Sequence, residues 1–122
     1  MTHVRMRGLT AFHSGMAAEH CVERCYQRQG CEVLARRWRS ASGEVDLIAR
    51  QGTQTVFIEV KQARDHARAA ARVAPAQARR IMAAALEYLD AAGQGADSDM
   101  RFDVALVDGT GRVEVLENAF MT

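Results

Sequence analysis

Residues 43–61 read GEVDLIARQGTQTVFIEVK, and the fold turns on how this stretch pairs with itself. Both halves, Glu44 to Ala49 and Thr55 to Val60, carry the β-branched and apolar content of strands, and Gly52-Thr53 is the only turn signal between them. They predict a β-hairpin. In a two-residue loop Gly52 takes the first central position of a type II′ turn, where φ is positive. Gln51 then faces Gln54, and counting inward pairs Ile48 with Phe57, Asp46 with Glu59 and Glu44 with Lys61. Three carboxylates and one amine collect on one side. Val45, Leu47, Val56, Ile58 and Val60 make the other side a candidate core.

Directly opposed Cβ atoms lie about 4.5–5.5 Å apart, and like charges placed there repel, so Asp46 opposite Glu59 costs stability unless something lies between them. Hard oxygen ligands of this kind suit Mg²⁺ or Mn²⁺, which takes one or two carboxylates and completes its shell with water and phosphate oxygens. Lys61, on the same face as Glu59, can orient a water or stabilise negative charge. It is also the only lysine in a chain with fifteen arginines. The alternative is the wet face of an ordinary hairpin, its alternating charges simply solvated.

A chain of 122 residues is one domain with one layered core. With 48% apolar and 25% charged residues the composition is that of a soluble globular protein, and no apolar run reaches the length of a membrane span. The N-terminal MTHVRMRGLT lacks the apolar core of a signal peptide, which predicts a cytoplasmic protein. The net charge of +1 conceals an asymmetry: Arg24 to Arg80 holds twelve basic residues against five acidic ones. A basic segment beside a carboxylate cluster suits phosphate-backbone binding, although a solvated arginine-rich surface has the same composition. Cys21, Cys25 and Cys31 match no common zinc-ligand spacing and are expected to be small, reduced, partly buried core residues.

Residues 1–13 lack sustained periodicity and are expected to be a flexible segment, leaving 14–122 as the domain. Ser14 is a candidate N-cap for a helix to about Gln29, with Ala18, Cys21, Val22 and Cys25 as its stripe, Gly30 as its stop and Glu19 at its border. Cys31 to Ala35 is a first strand. In the following Arg36-Arg37-Trp38-Arg39, the arginines can meet phosphates, and Trp38 either packs on the hairpin or stacks on a base. Beyond Lys61, Arg64, Arg68 and Arg72 recur every four residues as a positive ridge or a basic loop. Pro75 starts a second helix with the stripe Ala78, Ile81, Met82, Ala85, Leu86 and Leu89 up to Gly93, and Arg79 and Arg80 lie at its head. Phe102 to Val107 and Val113 to Leu116 are strands joined by Asp108-Gly109-Thr110-Gly111. The order is α-β-β-β-α-β-β.

Asp46 followed by Glu59-Val60-Lys61 resembles the D…(D/E)-x-K core of the PD-(D/E)XK nuclease superfamily, which includes many restriction enzymes and the archaeal Holliday-junction resolvases. The flanks tighten the match. Gly15, Ala18-Glu19, Arg36 to Arg39, Gly43 to Ala49, Val56 to Lys61, Tyr88-Leu89, Arg101 to Val104 and Glu117-Asn118-Ala119-Phe120 together resemble the YraN family of small bacterial endonuclease-like proteins. The resemblance spans about Gly15 to Phe120. It implies a restriction-endonuclease-like three-layer α/β sandwich with a mixed central sheet. It further implies a Mg²⁺- or Mn²⁺-dependent nuclease in which Asp46, Glu59 and the Val60 carbonyl hold the ion and Lys61 positions the attacking water. Glu44 and Glu19 are then accessory acids. DNA, more than RNA, is the implied partner, bound by Arg36, Arg37, Arg39, Arg64, Arg68, Arg72, Arg79 and Arg80, and a homodimer follows by analogy. The chain departs from the family where Gln62-Ala63 replaces Thr-Arg after the E-V-K, and where Gln77 replaces a lysine at the head of the second helix, a position from which the resemblance implies an accessory hydrogen-bonding group, though not a cation, at the site. The rival reading is a non-catalytic nucleic-acid-binding or assembly module on the same scaffold.

Overall fold

The hairpin adopts the expected register: Gln51 pairs with Gln54, Ile48 with Phe57 and Leu47 with Ile58. Gly52 has φ +62° while Thr53 is not among the residues of positive φ, the combination a type II′ turn requires. The computed structural model describes residues 3–65, 67, 74–95 and 98–120, with side chains described from residue 16 onward. Its elements are α1 (His3–Arg28), β1 (Glu32–Arg39), β2 (Glu44–Gln51), β3 (Gln54–Gln62), α2 (Pro75–Ala91), β4 (Met100–Val107) and β5 (Val113–Leu116). They follow the predicted order and form a mixed α/β fold. The five strands form one sheet in sequence order, antiparallel throughout except for the parallel β3–β4 pair. That parallel pair needs a crossover, which α2 supplies.

β3 is the central strand, and Thr55 to Glu59 are all buried. Its near-continuous apolar run suits a strand covered on both faces. Ala18, Val22 and Tyr26 of α1 pack with Leu47, Ala49, Val56 and Ile58 on one face. Ile81, Ala84, Ala85 and Leu89 of α2 pack with Val45, Ile48, Phe57 and Phe102 on the other. Phe57 has no exposed surface, and burial of such a side chain stabilises by about 1.5–3 kcal/mol.

Three expectations need correction. The helix starts at His3, not at Ser14, so Ser14 is an interior residue and residues 3–13 are helical; this stretch contains several good helix formers and no proline to interrupt it. The buried stripe of α2 includes Ala84 while Met82 and Leu86 remain exposed, because contact with Phe57 and Ile48 sets the helix rotation. Val45 does not share a face with Leu47 but packs with Ile48 against α2.

The last correction has a local cause. Arg37, with φ +49°, lies on β1 between the pairs Arg36–Leu47 and Trp38–Val45, opposite Asp46. Ala35 and Trp38 pack into the α2 cluster although three residues apart, as do Val45 and Ile48. The alternation therefore slips by one residue on both strands at Arg37 and Asp46. A non-glycine residue in this left-handed region stores on the order of 1–3 kcal/mol of strain.

Candidate active site

Asp46 stands where the hairpin opens. The β2–β3 ladder ends at Leu47–Ile58, while β3 continues beside β4 as far as Gln62. In the gap, the Asp46 carboxylate accepts the Val60 backbone N–H through Oδ2 at 2.8 Å. Asp46 is thus a side-chain substitute for the missing ladder bond. Glu59 faces the α2 side, where its Oε1 accepts from Gln77 Nε2 at 2.9 Å and lies 3.2 Å from Lys61 Nζ. The expected pairing of Glu44 with Lys61 does not form. Glu44 instead pairs across the sheet with Arg39, their side chains 3.7 Å apart, because β2 has already left β3 at that point.

The Asp46 and Glu59 carboxyl groups are neighbours, close enough for the charge of one to bear on the other. Burial, reinforced by the charge of Asp46 and only partly opposed by Lys61, pushes Glu59 up to about 7. Burial raises Asp46 as well, against the pull of the Val60 N–H. Near neutral pH this pair holds a proton in a place where two carboxylates would otherwise repel. The donor set fits a divalent cation: two hard oxygen groups pressed together, one of them aligned by a backbone bond and the other by Gln77. Among the described residues no group of three or more Asp, Glu, His or Cys side chains converges to hold an ion. Water and substrate oxygens would therefore have to complete the shell.

Asp46 borders three hollows. One of about 390 Å³ includes Glu19, Arg37, Arg39 and Glu44; one of about 250 Å³ extends along α1; and one of about 170 Å³ contains Glu59, Gln77 and Arg80. Gly43 underlies the last, since a Cβ there would stand 3.4 Å from Arg80 Cβ. The turn bearing Gly43 is fastened to α2 by Glu87, which accepts the Ser42 N–H at 3.3 Å. Across the sheet, Arg37 binds Glu19 at 2.8 Å, and Arg36 binds Glu23 through Nε at 3.0 Å. Successive strand residues normally point to opposite faces. Both arginines reach α1 because of the left-handed turn of the chain at Arg37.

The other predicted residues are dispersed. Trp38 meets Tyr88 edge to face at 5.4 Å and belongs to the α2 core, the packing alternative rather than the stacking one. Arg64 and Arg79 are exposed at the end of β3 and the head of α2, and Arg68 and Arg72 lie outside the described residues. The three cysteines are free, with Cys31 buried. Among the described residues, no helix is long and apolar enough to cross a membrane.

The sequence reading missed a second buried acid. Asp103, with no exposed surface, accepts Tyr26 Oη at 2.6 Å, Arg101 Nε at 2.9 Å and the Asn118 N–H at 3.0 Å. A signal was present: one aspartate interrupts the otherwise apolar run Phe102 to Val107, and a buried acid demands partners.

The model of the uncharacterised protein family UPF0102 matches residues 18–107. The chain belongs to this family. The UPF0102 match contains Asp46, Glu59, Lys61 and Gln77 and bears out the resemblance to YraN proteins. A UPF0102 protein of Cereibacter sphaeroides strain KD131 is 53% identical over 115 residues, covering 94% of this chain and 98% of its own. One from Ruegeria pomeroyi is 52% identical over 120 residues, covering 98% of each. One from Roseobacter denitrificans is 47% identical, with 92% of this chain and 87% of its own covered.

Proposed function

We propose that the chain is a metal-dependent nuclease of the PD-(D/E)XK type, with the corresponding restriction-endonuclease-like fold, that hydrolyses phosphodiester bonds in structured or branched DNA in the cytoplasm. The observation that carries this reading is one hollow lined by both Asp46 and Glu59, with Asp46 held by the Val60 N–H at 2.8 Å and Lys61 Nζ 3.2 Å from Glu59. Asp46, Glu59 and the Val60 carbonyl would hold Mg²⁺ or Mn²⁺, which when bound supplies a more acidic water and neutralises charge at the phosphate. Lys61 would donate from Nζ to the attacking water or to a phosphate oxygen. Gln77 would keep the Glu59 carboxylate oriented. Glu19 and Glu44 border the same hollow and would act as accessory acids on release from Arg37 and Arg39. The freed arginines, with Arg64, Arg79 and Arg80, would contact the phosphate backbone, so binding should weaken steeply with salt. A homodimer would let two such sites act on two strands.

One observation favours a second reading, a binding module without catalysis. Glu19 and Glu44 are both engaged by arginines, which leaves two acids at the centre. The test is cleavage of labelled single-stranded, duplex, flapped and four-way-junction DNA with Mg²⁺, Mn²⁺ or EDTA. Asp46→Ala and Lys61→Ala are expected to lower metal-dependent cutting by about a hundredfold or more. No cutting of any substrate, with salt-sensitive binding equal in all three proteins, would reject the nuclease in favour of the module.

A further inference from the structure

The hollow beside Asp46 does not end at Gln62. Ala18 and Gln62 also wall a second cavity of about 440 Å³, which continues along α1 toward the β4–β5 turn. Most of its walls are small, Ala17 and Cys21 on the helix, Ala63 after β3 and Val107 at the end of β4, with Arg64 exposed at the rim and the Asp108 carboxylate turned to its own loop, where Oδ1 accepts from the Thr110 and Arg112 N–H groups. Two glycines line its turn side. A Cβ on Gly111 would stand 3.4 Å from Cys21 Sγ, and one on Gly109 would stand 3.6 Å from the Arg64 carbonyl oxygen.

We propose that this cavity receives an unpaired nucleobase of the substrate strand, adjacent to the phosphate that Asp46 and Glu59 would serve. The proposal rests on the nucleic-acid reading of that site. Three features select this occupant. The cavity falls within the roughly 300–1,000 Å³ typical of small-ligand pockets. A base presents two apolar faces and a polar edge: the alanines and Val107 cover a face, the Arg64 guanidinium offers a stacking plane, and the Gln62 amide can meet the edge. The wall shared with the Asp46 hollow makes a nucleotide on the same backbone a better fit than a separate small molecule. A base inside a duplex cannot enter a recess between a helix and a turn, so it must first be unstacked. The site therefore favours strands with single-stranded or looped character.

The test compares binding of a short single-stranded DNA with binding of the same backbone lacking its bases, by fluorescence anisotropy. Wild type is expected to bind the base-bearing strand about tenfold more tightly, as the placement of one base would give. Ala17→Phe and Gly109→Leu each fill the cavity, one from the helix and one from the turn. Ala17 is exposed, and Gly109 has neither a positive φ nor a close Cβ contact, so both variants are expected to melt like wild type. Both should retain backbone binding and lose the preference for bases. Equal wild-type binding of the two strands, or a preference that survives in either variant with wild-type melting, overturns the proposal. Metal-dependent cleavage measured in parallel separates the two readings. Cutting without base preference removes the subsite and leaves the nuclease, whereas a base preference lost in both variants, without cutting, keeps the subsite and removes catalysis.

Discussion

Asp103 on β4 and the Asp46–Glu59 pair on β2 and β3 are buried acids of one sheet, neutralised in opposite ways. Asp103 is closed. Arg101, two residues away on the same strand, gives it two hydrogen bonds at 2.9 and 3.0 Å, and Tyr26 and the Asn118 backbone take up its remaining acceptor capacity. Asp46 and Glu59 share one lysine, one amide and one backbone N–H. That leaves two carboxylates against one cation. A buried acid completed by its own protein is a structural fastener, here joining α1 to β4 and the C-terminal turn. A pair left one positive charge short must take a proton or a ligand.

The largest effect should come from breaking the closed site. Asp103→Ala takes the nearest carboxylate from the partly buried Arg101 and leaves the buried Tyr26 hydroxyl and the Asn118 N–H without their acceptor, and is expected to cost about 3–5 kcal/mol in urea denaturation. Asp46→Asn, which retains an acceptor for the Val60 N–H and removes a repulsion, should be at least as stable as wild type. The reverse ranking would undo the contrast between the two sites. Tyr26→Phe removes one bond to the same buried charge and should cost about 1.5–3 kcal/mol in the same assay.

A pH series sharpens the comparison. Glu59 titrates at about 7 instead of its usual 4.5, so between these values the folded chain binds more protons than the unfolded one. The contribution of Glu59 to stability is then fully present below about pH 4.5 and is lost as pH rises through about 7. Glu59→Gln should flatten that decline, and Mg²⁺ or Mn²⁺ should oppose it in wild type; a profile unchanged by the substitution would show that Glu59 does not carry the proton. The smallest effect is at Arg37. Both Arg37→Ala and Arg37→Gly lose the bond to Glu19, but glycine tolerates φ +49°, so the glycine variant should be the more stable by about 1 kcal/mol. Equal stability would mean that the left-handed turn beside Asp46 stores no strain.

Much of the centre is legible in the sequence. The hairpin turn at Gly52 set the register, and the register brought Asp46, Glu59 and Lys61 together. The count was extended past Leu47–Ile58, where β2 and β3 separate, so neither the Asp46–Glu59 nor the Glu44–Lys61 rung forms, although Asp46 and Glu59 remain neighbours. That separation follows from the parallel partner β4, which is almost forty residues further along the chain and leaves no mark within the hairpin. The partners themselves, Tyr26 for Asp103, Glu23 for Arg36 and Glu19 for Arg37, were invisible for the same reason.

What the sequence by itself determined is local: strand and helix order, the hairpin turn, and which acids lie near its open end. Those follow from periodicity and backbone preference, which act over a few residues. Tertiary structure alone decided which face of α2 is buried, where the β1–β2 alternation slips, and which buried acid is matched by a guanidinium and which is not. These depend on groups distant in the chain competing for the same buried space and the same hydrogen bonds, and only the packed sheet and its two helices settle that competition.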